Sequence, residues 1–196
     1  MEPPGIRHHE LSTQRWGLRN FEFQSSVLSL AWAKHQDIQR CTGFEFPLFR
    51  VELATNDVWA RDFGPLTICD GLGNRVVLDF TFNGWGNKYP AELDNAITRQ
   101  LHHLGVFGAA QLQSVDLVLE GGGIESDGAG TIMATRQCLF NNNRNPNRTE
   151  AEIMHILKTA FNAKQLLLVE HGYLENDDTD AHIDTIVRFA PNGVEL

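Results

Sequence analysis

The sequence predicts an α/β protein built from repeated units. Runs of β-forming residues alternate with stretches of helical periodicity, an order that is typical of the α/β class. Residues Asp62, Glu120 and His182 each lie beside a predicted strand, 58 and 62 residues apart along the chain. A period of this size indicates structural repetition, and a radial arrangement of the repeats would bring the three residues to one centre.

The first predicted elements form a hairpin followed by a helix. The runs 65–70 and 75–82 are rich in β-forming residues and are separated by "GLGN", a turn sequence. The segment 89–105 places Leu93, Ile97, Leu101 and Leu104 on one helical face and ends at a glycine. This order predicts a strand–turn–strand–helix module.

The same order returns in the second half of the chain. Strands are predicted at 114–120 and 131–140, followed by a helix that begins with a capping box formed by Thr149 and Glu152. Its apolar stripe consists of Ile153, Ile156, Leu157, Ala160 and Phe161. Further strands are predicted at 165–172 and 182–190.

Composition limits the classes of function. The chain has 196 residues, of which 42% are hydrophobic and 21% charged, and this suits one folded domain. Its net charge of -9 disfavours nucleic acid and anionic membranes as partners and attracts a cationic ligand. The apolar run 26–33 is too short to span a bilayer.

The cysteines and the first residues predict a cytoplasmic protein. No two of the three cysteines, Cys41, Cys69 and Cys138, form a CxxC pair, so they predict neither a disulfide framework nor a zinc site and indicate a reducing compartment. The opening residues "MEPPGIRHHE" do not resemble a signal peptide. Residues 1–48 show no clear period and remain unassigned, whereas 49–196 form the predicted domain.

Two turns carry candidate binding residues. In "NDVWARDFGP" (56–65), Trp59 and Asp62 suit the wall of a cation site, although a solvated surface turn is the alternative. In "LEGGGIESDGAG" (119–130), the spacing is not GxGxxG and a strand follows, which argues against a nucleotide loop. The glycines instead allow close approach to a ligand beside Glu120, and we assign Glu125 and Asp127 to the turn.

The stretch "NDDTDAHIDT" (176–185) is the strongest single signal. In the predicted strand 182–190, His182 and Asp184 lie on the same face, and a neighbouring carboxylate suits a histidine acting as a general acid and base. A solvated acidic loop and a metal site are the alternatives. Because no HxH, HExxH or CxxC partner is present, we expect no metal or other cofactor. Asp177 is assigned to the loop.

Together these motifs resemble the agmatine deiminase and bacterial-type peptidylarginine deiminase family. The matching pieces occur in family order between about residue 48 and residue 190: "NDVWARDFGP", "FNGWGNKY", "EGGGIESDGAGT", "CLFNNNRNP" and "DDTDAHIDTIVRF". The resemblance implies the pentein fold, a five-bladed α/β propeller around a central site. It also implies hydrolysis of a guanidino group by a cysteine nucleophile, as in the conversion of agmatine to N-carbamoylputrescine in polyamine biosynthesis.

The resemblance assigns roles to individual residues. Asp62 and Asp184 would clamp the guanidinium, and His182 would protonate the departing ammonia and later deprotonate water. Glu120 would accept a hydrogen bond from substrate or orient the histidine. The pocket wall would come from Trp59, Asn83 and Trp85.

The sequence departs from the family pattern at two points. Residues 1–48 do not match the expected opening strand, and the Gly-rich cysteine motif expected after the histidine motif does not occur before Leu196. None of the three cysteines has that motif. We therefore expect about three blades of five, a missing nucleophile, no turnover by this chain alone and a tendency to self-associate. The alternatives are a catalytically dead module that binds guanidinium or a partner, and a metal-dependent hydrolase that uses His182 and nearby aspartates.

Overall fold

Two small mixed sheets form the framework of the protein. The structure, a computed structural model, describes residues 17–19 and 51–190. The first sheet has the order β1-β2-β3-β4 and the second the order β5-β6-β7. The strands are β1 Gly17–Arg19, β2 Leu66–Cys69, β3 Arg75–Thr81, β4 Gln111–Val118, β5 Ile124–Ser126, β6 Thr131–Thr135 and β7 Gln165–Val169.

The two sheets repeat one topology. In the first, β2 and β3 form an antiparallel hairpin and β4 lies parallel to β3. In the second, β5 and β6 are antiparallel and β7 lies parallel to β6. A parallel neighbour requires a crossover, which is provided by α3 (Ile97–His103) in the first unit and α5 (Glu150–Ala160) in the second. The predicted α/β class and the repetition of strand, turn, strand and helix are thus confirmed in these two units.

A shared hydrophobic core joins the sheets to α5. The predicted capping box is present, since Thr149 accepts from the Glu152 amide while the Glu152 carboxylate accepts from the Thr149 amide. The stripe of α5 packs as predicted, with Ile156 only partly buried. Its buried members Ile153, Leu157, Ala160 and Phe161 meet residues of both sheets, among them Leu78, Leu117, Ile124 and Ile132.

One predicted helix and one predicted strand need correction. The segment 89–105 is not one helix: a 3-10 turn, Asp94–Ala96, precedes α3, and Leu93 and Leu104 are exposed. The helix is interrupted at Asp94. This residue is fully buried, and its carboxylate accepts hydrogen bonds from the backbone amides of Asn56 and Asp57. The strand predicted at 131–140 ends at Thr135, whose hydroxyl accepts from the Cys138 amide and caps the short helix α4 (Arg136–Leu139).

The strand predicted at 182–190 is also wrong. Ile183–Thr185 form a 3-10 turn, closed by the Thr185 hydroxyl, which donates to the His182 carbonyl at 2.8 Å. His182 and Asp184 therefore lie on a tight turn and not on one face of a strand. Two further short helices complete the fold, α1 (Ala60–Phe63) and α2 (Gly84–Asn87).

Among the described residues, none of the helices is both long and apolar enough to span a membrane. Cys69 and Cys138 are free thiols, and Cys41 lies outside the described residues.

Candidate active site

Three glycines bring the candidate site together. The turn Gly121–Gly123 follows β4 and packs against α1 and against the Ile183–Thr185 turn. A Cβ on Gly121 would lie 2.1 Å from the Arg61 carbonyl oxygen. A Cβ on Gly122 would lie 2.6 Å from Asp62 Oδ1, 2.7 Å from His182 Nδ1 and 2.8 Å from Asp184 Oδ2. Only a residue without a side chain therefore permits the two carboxylates and the imidazole to converge here.

Asp62 is held in place by neutral donors. The indole Nε1 of Trp85 donates to Oδ2 at 2.9 Å, and the amide of Gly122 donates to Oδ1 at 3.0 Å. Burial raises the pKa of Asp62, and the neighbouring His182 and the Trp85 hydrogen bond partly offset this effect. A cation that arrived beside Asp62 would stabilise the charged carboxylate.

His182 is almost completely buried between two carboxylates. Its Nδ1 lies 3.6 Å from Asp62 Oδ1, and its Nε2 lies 3.6 Å from Glu120 Oε2. Burial alone would lower the pKa of His182, but contacts with Cys138, Glu120 and Asp62 outweigh it and raise the pKa to about 11. The imidazole is therefore protonated at neutral pH. This geometry brings together Asp62, Glu120 and His182, the three residues that the sequence period linked.

A buried arginine that sequence reasoning missed fixes Glu120. Arg144 Nε donates to both Glu120 oxygens, at 3.0 and 2.8 Å, and both side chains are about 2% exposed or less. Arg144 also donates to Asp180 Oδ2 at 2.7 Å and to the Thr179 carbonyl at 2.9 Å. Burial would raise the pKa of Glu120, but contacts from His182 and Arg144 lower it overall, so Glu120 is ionised.

The acidic stretch before His182 builds a loop around this arginine. Hydrogen bonds from Arg144, Lys88 and Asn143 outweigh partial burial and lower the pKa of Asp180 to about 2. Asp177 accepts from the amides of Thr179 and Ala181 and from the Thr179 hydroxyl. Asp177 is thus a loop residue, as predicted, but one whose bonds shape the path of the chain into His182.

Cys138 also lies at the site, which its sequence context did not indicate. Its Sγ is 3.9 Å from Glu120 Oε2, and the residue is 2% exposed. Burial raises the pKa of the Cys138 thiol, with a further rise from Glu120 and an opposing effect of His182 and Arg144. One ligand atom from each of Glu120, Cys138 and His182 can lie within 4.8 Å of the others, close enough to hold a metal ion.

Asp184 lies in a mixed cluster of charges. Arg61 Nε is 3.8 Å from Asp184 Oδ2, and Arg61 Nη2 is 4.0 Å from Glu125 Oε2. Arg188 approaches the same Glu125 oxygen at 3.4 Å. The assignment of Glu125 to a turn is wrong, because it is a buried residue of β5 whose pKa is raised by burial. Asp127 does build the turn, accepting from the amides of Ala129 and Thr131.

The three residues proposed as a pocket wall have different positions. Trp59 is 63% exposed, beside α1. Trp85 is buried and supports Asp62 through its indole N–H. Asn83 accepts from the Gly86 amide and donates to the Asn143 carbonyl, so it ties α2 to the segment that carries Arg144.

Known proteins share this arrangement of elements. The family model of Porphyromonas-type peptidyl-arginine deiminase matches residues 21–195. An agmatine deiminase of Pseudomonas aeruginosa is 35% identical over 151 residues, which cover 74% of this chain and 40% of that protein. A crystal structure of a C. jejuni agmatine deiminase with substrate bound has 36% identity and a TM-score of 0.68, over 85% of this chain and 51% of that one.

An agmatine deiminase of Enterococcus faecalis has 26% identity and a TM-score of 0.66 over 85% of this chain and 48% of its own. The chain spans about two fifths of the length of the curated relative and about half of each of these solved structures. The range matched by the family model, residues 21–195, contains the site described above. The chain belongs to the Porphyromonas-type peptidyl-arginine deiminase family.

Proposed function

We propose that this chain supplies the guanidinium-binding and proton-transfer groups of an agmatine deiminase-type hydrolase. The observation that carries the proposal is the convergence of Asp62, His182 and Asp184 on the bare face of Gly122. A guanidinium is a planar cation whose N–H groups pair with carboxylates in a bidentate manner. Two carboxylates on one glycine face suit that ligand, and the names of the relatives favour agmatine as the substrate.

In the proposed reaction, a cysteine thiolate attacks the guanidinium carbon while Asp62 and Asp184 hold the group in line. His182 starts protonated, in keeping with its raised pKa, and gives its proton to the departing ammonia as the C–N bond breaks. The neutral imidazole then takes a proton from water, whose oxygen attacks the amidino-cysteine carbon. The C–S bond breaks, and the ureido product and the thiolate are released.

We propose that the attacking thiolate is a group other than Cys138. Asp62 faces Nδ1 of the imidazole, whereas Cys138 lies near Glu120, on the Nε2 side. The ring therefore stands between Cys138 and the carboxylates assigned to the clamp. The buried thiol also has a raised pKa, which disfavours the thiolate. Glu120 acts by orienting the imidazole, and Trp85 by orienting Asp62.

We also propose that the fold is a pentein propeller and that this chain contains about three of its five blades. The enzyme is proposed to be cytoplasmic and to need no cofactor. Two sheets with one topology, each a hairpin followed by a parallel strand, support the repeated modules.

Calorimetric titration of the purified chain with agmatine tests the clamp. Asp62→Asn leaves a buried cation without its partner, which costs about 3–5 kcal/mol in known pairs, so affinity falls on the order of a hundredfold or more. Asp184→Asn has a smaller effect, about tenfold, because its side chain is 21% exposed. The control is Asp116→Asn, at an almost fully exposed residue on β4. N-carbamoylputrescine, whose ureido group is neutral, binds weakly to all variants.

The same samples are assayed for ammonia and ureido product, and we expect agmatine binding without product. Unchanged agmatine affinity in both aspartate variants would remove the clamp from this face of Gly122. Product that disappears in Cys138→Ser would make Cys138 the nucleophile and overturn its assignment.

A further inference from the structure

Glu120, Cys138 and His182 form a buried group with the ligand types of a thiophilic cation site. A thiolate, an imidazole and a carboxylate together suit Zn²⁺ better than Mg²⁺ or Ca²⁺. All three residues are at most 2% exposed, and Nε2 of His182 is a buried nitrogen without a hydrogen-bond partner in the structure. This nitrogen therefore has an unused lone pair or proton that points toward the group.

The distances between the ligand atoms fit one metal ion. Tetrahedral bonds of roughly 2.0–2.3 Å separate neighbouring ligand atoms by about 3.3–3.8 Å. Glu120 Oε2 lies 3.6 Å from His182 Nε2 and 3.9 Å from Cys138 Sγ. Glu120 Oε2 is thus within a few tenths of an ångström of a bonding separation from each of the other two atoms, and all three ligand atoms lie within 4.8 Å of one another.

The surroundings support the histidine as a ligand. Histidines that bind metals usually present their second nitrogen to a carboxylate, which fixes the ring. Asp62 Oδ1 lies 3.6 Å from Nδ1, on the opposite side of the ring from the three-atom group. Gly123 leaves space beside the ligands, since a Cβ there would meet Cys138 Sγ at 3.5 Å and Glu120 Oε2 at 4.0 Å.

Arg144 works against a second cation, because its guanidinium already contacts Glu120. A bound Cys138 thiolate and Asp62, whose hydrogen bonds come from neutral donors, supply compensating negative charge. Glu120 Oε2, the oxygen nearest the other two ligand atoms, accepts from Arg144 Nε at 2.8 Å and would contact both cations, which weakens the site. A cation at this position therefore binds reversibly rather than as a permanent structural metal.

We propose that Glu120, Cys138 and His182 bind Zn²⁺ or a similar thiophilic divalent cation, and that this cation inhibits binding of guanidinium. The inhibitory part rests on the proposed function. A divalent charge on Nε2 lies beside Asp62 and opposes a cationic substrate.

Cobalt substitution tests the binding part without any substrate. We expect Co²⁺ to bind the purified chain in a 1:1 ratio with a thiolate-to-cobalt charge-transfer band in the near ultraviolet. The band should disappear in Cys138→Ser and persist in the double variant C41S/C69S, with far-UV circular dichroism as the check on folding. Absence of the band in the unmodified chain refutes the site, as does a band that survives Cys138→Ser.

Agmatine titration with and without one equivalent of Zn²⁺ tests the inhibitory part. We expect affinity for agmatine to fall at least tenfold with Zn²⁺ in the unmodified chain and to remain unchanged in Cys138→Ser. A cobalt band with no effect on agmatine affinity overturns the inhibition and keeps the metal site. If agmatine does not bind even without metal, the proposed function fails while the cobalt result still decides the metal site.

Discussion

Arg144→Met should destabilise the protein strongly, because Arg144 joins two parts of the site. Its guanidinium contacts Glu120 on the glycine turn, and Asp180 and Thr179 on the loop that leads to His182. Methionine keeps much of the length and apolar volume of the side chain but removes the charge. Glu120 would then be a buried carboxylate that retains only His182 as a cationic neighbour.

The expected cost follows from this burial. Removing one partner of a buried ion pair typically costs about 3–5 kcal/mol, a large share of the 5–15 kcal/mol by which a domain of ordinary stability is folded. Urea denaturation followed by circular dichroism measures the change as a shift in midpoint at constant slope. Arg148→Met is the matched control, since Arg148 pairs with the exposed Asp116, and its effect should be much smaller.

A double variant separates the charge from the packing of the side chain. If the cost comes from the uncompensated Glu120 carboxylate, then E120Q in the Arg144→Met background recovers part of the lost stability. The reasoning is refuted if Arg144→Met costs less than about 1 kcal/mol or no more than Arg148→Met. Equal stability of the single variant and the double variant would assign the loss to packing.

Two further predictions concern the glycine face and the histidine. Gly122→Ala should abolish agmatine binding, because its Cβ would lie within 2.8 Å of Asp62, His182 and Asp184. Gly123→Ala is the control: its Cβ would make contacts of 3.5–4.0 Å, so the calorimetric affinity should change only a few-fold. The raised pKa of His182 contributes stability that is present below about pH 6.5 and is lost as pH rises toward about 11. Urea titrations between pH 7 and 10 should therefore show unfolding free energy falling by up to about 1.4 kcal/mol per pH unit more steeply than in His182→Asn. Retained agmatine binding in Gly122→Ala, or parallel pH profiles for the two proteins, would contradict these assignments.

The parts of the fold that the sequence predicts are those set by local patterns. The turn between β2 and β3 is stabilised by residues that are neighbours in sequence. The Asp70 carboxylate accepts from the amides of Leu72 and Asn74. The capping box of α5 likewise depends on Thr149 and Glu152, three positions apart. Such signals survive folding because both partners are close in sequence.

The errors arise where a distant partner decides the local structure. Asp94 interrupts the predicted helix because its carboxylate accepts hydrogen bonds from the amides of Asn56 and Asp57. The periodicity of residues 89–105 contains no information about these distant donors. Arg144 lies in an Asn-rich loop that predicts surface exposure, yet its side chain is buried against Glu120. The sequence around Cys138 does not indicate a site residue, because its place at the site results from the Thr135 cap, which turns the chain into α4.

Most carboxylates of the acidic stretch 176–185 are bound to other groups of the protein. The carboxylate of Asp177 bonds to its own loop, and Asp178 accepts from the Tyr89 hydroxyl at 2.6 Å. Asp180 is paired with Arg144 and Lys88. Asp184 is the aspartate of this stretch whose oxygen is among the three atoms nearest to a Cβ built on Gly122, and Asp62 reaches the same face from another part of the chain. Most of the acids therefore act by fixing the position of His182, and the proposed cation site depends on Asp62 and Asp184, which are 122 residues apart.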